Sequence, residues 1–130
     1  MGENLRVLVV DDNLINQKVA VKILEKIGCT VVAAASGREA IILLTEQPCD
    51  LIFMDCQMPE LDGYQTTQMI RVSEDSRINN IPIIALTANT EHGDEERCRA
   101  AGMNDYLAKP IRLHSILETI NKWEAIRASN

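Results

Sequence analysis

Five side chains that can bind a cation or a phosphate stand directly after apolar segments of the chain. They are those of Asp11, Asp12, Asp55, Thr87 and Lys109. Three of them are carboxylates, which are hard oxygen donors, and neither His nor Cys occupies any of the five positions. This donor set is typical of a site for Mg²⁺ or Mn²⁺ and argues against zinc or copper.

A Mg²⁺ ion at such a site would leave room for a phosphoryl group. In proteins Mg²⁺ keeps several waters and takes one or two carboxylates together with phosphate oxygens. The ammonium of Lys109 suits one phosphate oxygen, and the hydroxyl of Thr87 can donate to another. A carboxylate placed in line with the phosphorus can act as the nucleophile. The five residues therefore predict phosphoryl transfer to an aspartate.

Five apolar segments, four of which lead into these residues, predict five strands, and the segment that follows each strand predicts a helix. The strands are expected at Leu5–Val10, Thr30–Ala34, Asp50–Met54, Ile81–Thr87 and within Asp105–Pro110. The last three helices are expected at Tyr64–Val72, Thr90–Ala101 and Leu113–Ile126. Strict β-α alternation predicts a parallel sheet with helices on both faces and right-handed crossovers. The carboxyl ends of the strands then meet at one rim, where such folds bind ligands.

The first two helices carry recognisable signals. Apolar residues recur every four positions, at Ile15, Val19, Ile23 and Ile27, which predicts an amphipathic helix that ends at Gly28. The segment SGRE, residues 36–39, matches a capping box, in which the serine accepts from the backbone and the glutamate reaches back.

Length and composition predict one domain spanning residues 1–130, with a core over about 5–126. The net charge of −6, without a basic run, makes the chain a poor direct binder of nucleic acid or anionic membrane. No apolar stretch approaches the roughly 20 residues that span a bilayer, and the N-terminus lacks a secretory signal. The four cysteines contain no C-x-x-C pair, which predicts reduced thiols in a cytoplasmic protein.

Four segments, VLVVDDN, LIFMDCQMPELDGY, IIALTAN and DYLAKPI, resemble the receiver domain of two-component response regulators. The resemblance covers the chain from Leu5 to about Ile126, in the family's order. Two segments, DDNLINQKVA and MDCQMPELDGY, are most similar to receivers attached to hybrid sensor histidine kinases. The resemblance implies a flavodoxin-like (βα)5 fold with strand order 2-1-3-4-5.

The resemblance also implies a role for each residue at the rim. Asp55 would be the phospho-acceptor. Asp12, Asp55 and the backbone carbonyl of Gln57 would bind the metal ion, and Asp11 would complete the metal site by holding a metal-bound water or adding charge. Lys109 would pair with a phosphoryl oxygen.

Three further residues would transmit or support the response. Thr87 would be the switch hydroxyl that moves to the phosphoryl group, and the ring of Tyr106 would turn inward with it. Pro110 would be a cis-proline that aims Lys109.

The implied partner is a histidine kinase or a histidine phosphotransfer domain, which would dock against the first helix. Asn13, Asn16 and Gln17 would open this helix beside the site, and for Asn13 a simple N-cap is an alternative to a partner contact. A homodimer through the fourth and fifth helices is a possible further assembly. The chain is expected to be either a single-domain receiver or a domain of a longer hybrid kinase, with the second favoured. It would assist its own phosphorylation without being an enzyme in the usual sense.

Three alternatives remain open on the sequence. A Mg²⁺-dependent phosphohydrolase commonly has an acid/base aspartate two residues after its nucleophile, where this chain has Gln57. A nucleotide- or flavin-binding module would need a Gly-rich loop after the first strand, where this chain has DDNLIN. A receiver used only for interaction would have lost some of the five rim residues, and all five are present.

Overall fold

The computed structural model describes residues 5–88 and 94–128, and strands and helices alternate along them. The elements are β1 (Arg6–Val10), α1 (Leu14–Ile27), β2 (Thr30–Ala34), α2 (Gly37–Glu46), β3 (Leu51–Asp55), α3 (Gly63–Arg71), β4 (Ile83–Thr87), α4 (Asp94–Ala101), β5 (Asp105–Ala108) and α5 (Leu113–Ala128). The predicted start of the fourth helix at Thr90 lies outside the described residues.

The five strands form one parallel sheet in the order β2-β1-β3-β4-β5, which confirms the predicted topology. Val10 pairs with Met54, so Asp11 and Asp55 each follow that pair by one residue on neighbouring strands. Asp55 pairs in turn with Leu86, the residue before Thr87. The register alone therefore brings the ends of β1, β3 and β4 to one rim.

Apolar side chains fill both faces of the sheet. All five residues of β3 are buried, as are all five of β4. Along β3 the side chains alternate: Ile52 and Met54 pack in one apolar cluster with α2, α3 and α4, whereas Leu51 and Phe53 pack in the other with α1 and α5. Because both faces are covered, the central strands are continuously apolar, without an alternation of polar residues.

The expected apolar face of α1 is only partly buried. Ile23 and Ile27 pack against the core, but Ile15 and Val19 are 74% and 44% exposed. An α-helix turns by about 400° over four residues, so a row spaced by four drifts by about 40° at each step. Ala20 and Leu24 make the central contacts instead.

Helix ends follow the predicted signals with one correction. Gly28 ends α1 in the left-handed region, with φ 105°. Ser36 accepts a hydrogen bond from the Glu39 N–H at 3.1 Å, as expected. The Glu39 carboxylate, however, accepts from the N–H of Ala35 at 3.3 Å and not from that of Ser36, so the predicted box is not closed.

A complete capping box opens α3. The Asp62 carboxylate accepts from the Gln65 N–H at 2.8 Å, and the Gln65 side chain accepts from the Asp62 N–H at 3.0 Å. The sequence pattern D-x-x-Q before a helix signals this arrangement, and sequence reasoning missed it.

Candidate functional site

The carboxyl rim of the sheet carries the predicted acidic residues. Asp11 and Asp55 are buried, with 0% and 3% of their surface exposed, whereas Asp12 is exposed. One carboxylate oxygen from each of the three lies within 4.8 Å of the others. Thr87 ends β4 at the same rim and is buried. The structure thus gathers the acidic side chains where the register places the strand ends.

Lys109 reaches this rim from the segment after β5. Its ammonium donates to Asp55 Oδ1 at 2.9 Å and lies 3.6 Å from Asp11 Oδ2. Its backbone N–H donates to the carbonyl of Thr87 at 2.9 Å, which holds the end of β5 beside β4. The peptide bond between Lys109 and Pro110 is cis. The Lys109 cation therefore faces two buried carboxylates.

Backbone groups hold both buried carboxylates. Asp11 Oδ1 accepts from the N–H of Asn13 at 2.9 Å, and Asp55 Oδ1 accepts from the N–H of Gln57 at 3.2 Å. Asp11 Oδ2 is buried and accepts no hydrogen bond. A buried oxygen without a hydrogen-bond donor is costly unless a cation lies near it. The Lys109 ammonium, at 3.6 Å, is a nearby charge beyond hydrogen-bond distance, and Asp11 belongs to the acidic cluster.

Charge at the rim is unbalanced. Burial raises the pKa of Asp55, and the charge of Asp11 raises it further, against the hydrogen bond from Lys109. Burial opposes the charge on Lys109, but the hydrogen bond and charge of Asp55, with the charge of Asp11, leave the Lys109 pKa raised. One ammonium stays charged between two carboxylates that repel each other. A second cation would therefore stabilise the two carboxylates in their charged form.

The donor set fits Mg²⁺. Asp11, Asp12 and Asp55 offer oxygen atoms only, and among these the buried Asp11 Oδ2 accepts no hydrogen bond. Gln57 is exposed two residues beyond Asp55, at the open side of the rim. Few protein ligands and an open side suit an ion that keeps waters and shares phosphate oxygens.

Tyr106 lies on β5, paired with Ala85 of β4, and is linked to α4. Its ring is half-buried against the core, and its hydroxyl donates to Glu95 Oε2 at 3.3 Å. The charge of Glu95 raises the pKa of the Tyr106 phenol. Arg99 donates to the other oxygen of Glu95 at 3.0 Å. Sequence reasoning missed Glu95, because a contact between α4 and β5 has no local signature.

Gly63 lets α3 start directly against the phospho-acceptor candidate. A Cβ atom on Gly63 would lie 2.2 Å from the carbonyl oxygen of Asp55 and 2.9 Å from the Cα of Cys56. The Gly63 N–H donates to the Cys56 carbonyl at 3.1 Å, so the approach is also hydrogen-bonded. Any side chain at this position would displace the backbone that carries Asp55.

We therefore expect Gly63→Ala to lower the free energy of unfolding by about 3 kcal/mol, because a backbone contact cannot relax by a rotamer change. Gly28→Ala is the control, since Gly28 has a positive φ and its replacement costs about 1 kcal/mol of backbone strain. Urea unfolding measures both variants. Equal losses for the two would show that the contact with Asp55 does not constrain position 63.

An exposed apolar surface adjoins the rim. We call Leu14, Ile15 and Val19 the α1 patch; all three are exposed. Between α1 and the segment after β5 lies a cleft of about 80 Å³, lined by Asn16, Val19, Lys109, Pro110 and Ile111. The α1 patch is therefore continuous with the residue that contacts Asp55.

Fold and rim together define a doubly wound α/β domain with an acidic cluster and one lysine at the carboxyl ends of its strands. The family model of the response regulator receiver domain matches residues 7–121 of the chain. The chain belongs to this family.

Similar proteins include hybrid kinases. The chain is 45% identical over 121 residues to hybrid signal transduction histidine kinase K of Dictyostelium discoideum, covering 89% of the chain and 10% of that kinase. It is 38% identical over 126 residues to the sensor protein GacS of Pseudomonas syringae pv. syringae, covering 96% of the chain and 14% of that protein. The chain therefore spans only a small part of the relatives that it matches.

Two solved structures bear on the rim. The receiver domain of a sensor histidine kinase from Pseudomonas aeruginosa PAO1, with a magnesium ion coordinated in its active-site cleft, is 43% identical, with TM-score 0.83 and coverage of 92% of this chain and 97% of that one. A Saccharomyces cerevisiae response regulator receiver, co-crystallised with a histidine phosphotransfer protein, is 33% identical, with TM-score 0.87 and coverage of 98% and 94%.

Two further observations bear on the composition-based expectations. Among the described residues, every helix is too short or too polar to span a bilayer. The four cysteines form no disulfide.

Proposed function

We propose that Asp55 accepts a phosphoryl group from a phosphohistidine in a Mg²⁺-dependent reaction. The observation that carries this proposal is the meeting of the three carboxylates with Lys109 at the open rim. The magnesium ion in the Pseudomonas aeruginosa receiver supports the choice of metal. In this proposal Asp11, Asp12, Asp55 and the Gln57 carbonyl hold the ion.

In the proposed step, a carboxylate oxygen of Asp55 forms a bond to phosphorus as the bond between phosphorus and the histidine nitrogen breaks. Bound Mg²⁺ would neutralise charge on the phosphoryl oxygens. The Lys109 ammonium, already 2.9 Å from Asp55, is placed to pair with one of these oxygens. Asn13 and Gln57 keep the two buried carboxylates oriented through their N–H groups.

Phosphorylation would then act on β4, β5 and α4. A phosphoryl group adds about −1.5 to −2 charge and new hydrogen-bond acceptors beside Thr87. Movement of the Thr87 hydroxyl toward the phosphoryl group would change the surroundings of Tyr106. The hydrogen bond from Tyr106 to Glu95 links β5 to α4. Thr87 and Tyr106 are our proposed switch residues, and Pro110 supports Lys109.

The chain serves in this proposal as a phospho-acceptor domain in the cytoplasm and not as an enzyme. A phosphohydrolase is disfavoured because Gln57, two residues after Asp55, cannot transfer a proton. We propose that residues 1–130 form one domain, with its core over about 5–126. We also propose that this domain is part of a longer hybrid kinase, because the chain is similar to short segments of such proteins. We expect Mn²⁺ to support the same reaction in place of Mg²⁺, because both ions prefer oxygen ligands.

Incubation with acetyl phosphate and Mg²⁺ tests the proposal without any partner protein. We expect intact-mass spectrometry to show one phosphoryl group per chain, which is lost at high pH as an acyl phosphate would be. No adduct at saturating Mg²⁺ would contradict the proposed function.

The α1 patch is the proposed docking surface for a histidine phosphotransfer domain. It is apolar, exposed and continuous with the cleft beside Lys109, so a partner seated on it would face Asp55. The yeast receiver co-crystallised with a phosphotransfer protein supports this class of partner. Apolar side chains at the centre of an interface commonly carry much of its affinity.

We expect Ile15→Ser to slow phosphotransfer from a phosphorylated histidine phosphotransfer protein by about 10-fold, because it removes an apolar anchor. The reaction with acetyl phosphate should keep its wild-type rate. Radiolabel transfer at limiting receiver concentration measures the first rate.

Ile42→Ser is the matched control, since Ile42 is similarly exposed on α2, away from the α1 patch. It should leave both rates unchanged. An equal slowing by Ile15→Ser and Ile42→Ser would contradict the choice of surface.

A further inference from the structure

The side chain of Gln17 connects α1 to the ends of two strands. Its amide nitrogen donates to the carbonyl of Asp11 at 3.2 Å and to the carbonyl of Ala34 at 3.1 Å. A side-chain amide carries two N–H groups, so both hydrogen bonds can be made at once. Asp11 follows β1 and Ala34 ends β2, so a half-buried glutamine joins the two strand ends at the rim.

These hydrogen bonds bear on Asp12. The peptide bond before Asp12 is held by Gln17 through the Asp11 carbonyl. The peptide bond after it is held by the Asp11 carboxylate through the N–H of Asn13, at 2.9 Å. Asp12 itself is exposed, and across residues 5–88 and 94–128 no hydrogen bond restrains its carboxylate. Its direction is therefore set by the backbone on either side.

We infer that Gln17 is a positioning residue for the metal ligand Asp12. The inference rests on the proposed function, since it assumes that the three carboxylates bind Mg²⁺. Without the Gln17 amide, the Asp11–Asp12 peptide can rotate, and the Asp12 carboxylate spends less time directed at the cluster. Loss of groups that orient metal ligands typically costs 10- to 100-fold in metal affinity.

Gln17 also has a simpler possible role, because any donor to these carbonyls stabilises the fold. The two roles predict different results. A purely structural role predicts a lower melting temperature with unchanged Mg²⁺ affinity. The positioning role predicts weaker Mg²⁺ binding in protein that is fully folded.

The test compares Gln17→Met with Gln68→Met in the whole chain. Methionine preserves the length of the side chain and removes its donors. Gln68 is exposed on α3, so it controls for the same substitution on a helix surface. Titration calorimetry with Mg²⁺ alone gives the affinity. The rate of modification by acetyl phosphate against Mg²⁺ concentration gives the half-saturating concentration and the plateau rate.

We expect the Gln17→Met dissociation constant and half-saturating Mg²⁺ concentration to rise by about 10-fold, at the low end for groups that orient ligands. The plateau rate should stay within twofold of wild type, since bound Mg²⁺ would hold Asp12 in place. Gln68→Met should match wild type in all three quantities.

An unchanged Mg²⁺ affinity in folded Gln17→Met, or a loss confined to the plateau rate, would overturn the inference. If Gln17→Met does not fold, Gln17→Asn keeps a polar amide that is too short to reach both carbonyls, and the same rise is expected. Wild-type protein that binds no Mg²⁺ would instead overturn the proposed function, which separates the two failures.

Discussion

An Asp55→Asn variant will take up no phosphoryl group from acetyl phosphate at any Mg²⁺ concentration. The amide of asparagine is not a nucleophile toward phosphorus, and Asp55 is the carboxylate that the Lys109 ammonium contacts at 2.9 Å. Intact-mass spectrometry should show the adduct on wild-type protein and none on the variant.

The variant should also remain folded. Burial and the neighbouring charge of Asp11 raise the pKa of Asp55, so its charged form is disfavoured in the folded protein, and a neutral side chain relieves that repulsion. Circular dichroism tests this directly.

Asp62→Asn is the matched control for this experiment. Asp62 caps α3 through its bond to the Gln65 N–H, and asparagine caps helices equally well, so this variant should be modified like wild type. A complete adduct on Asp55→Asn would contradict the assignment of the acceptor. Peptide mapping would then identify the carboxylate that carries it.

Replacement of Lys109 by methionine should slow modification by acetyl phosphate by about 100-fold at saturating Mg²⁺. The ammonium is the cation that faces both Asp11 and Asp55, and without it the phosphoryl oxygens lose one partner as charge is transferred. The fold should survive, because the carboxylates can bind a metal ion or a proton in place of the ammonium. Single-turnover kinetics and thermal unfolding measure the two effects separately.

Lys122→Met provides the comparison. Lys122 also pairs with an aspartate at 2.9 Å, but its partner is Asp105 and the pair is exposed on β5 and α5. Such surface pairs contribute little, so both stability and reaction rate should stay near wild type. If Lys109→Met only unfolded the protein and its folded fraction reacted normally, the role of Lys109 in phosphoryl transfer would be refuted.

Much of the fold is readable from local sequence. Each apolar run is short and ends near a polar residue, two helices end at a glycine, Gly28 and Gly102, and the strict alternation permits few topologies. Strand limits shifted by one or two residues: β4 starts at Ile83 and not Ile81, since Pro82 has no N–H to contribute to the ladder. The order of the strands came from family resemblance and not from periodicity.

By itself, then, the sequence determined which residues stand at the strand ends and therefore which chemistry the rim can support. Asp11, Asp12, Asp55, Thr87 and Lys109 were identifiable because parallel strands bring their carboxyl ends together whatever the details of packing. This part of the site depends on local sequence patterns and on a general rule of topology, and both can be applied to the sequence alone.

Only the tertiary structure decided how these residues are held and what surrounds them. Three sets of contacts join segments that are distant in the sequence. Lys109 contacts both Asp55 and Asp11, Tyr106 donates to Glu95, and Gln17 donates to two strand ends. The exposure of Ile15 depends on how α1 rotates against the sheet. Such contacts are selected by the packing of the whole chain, so no local pattern encodes them.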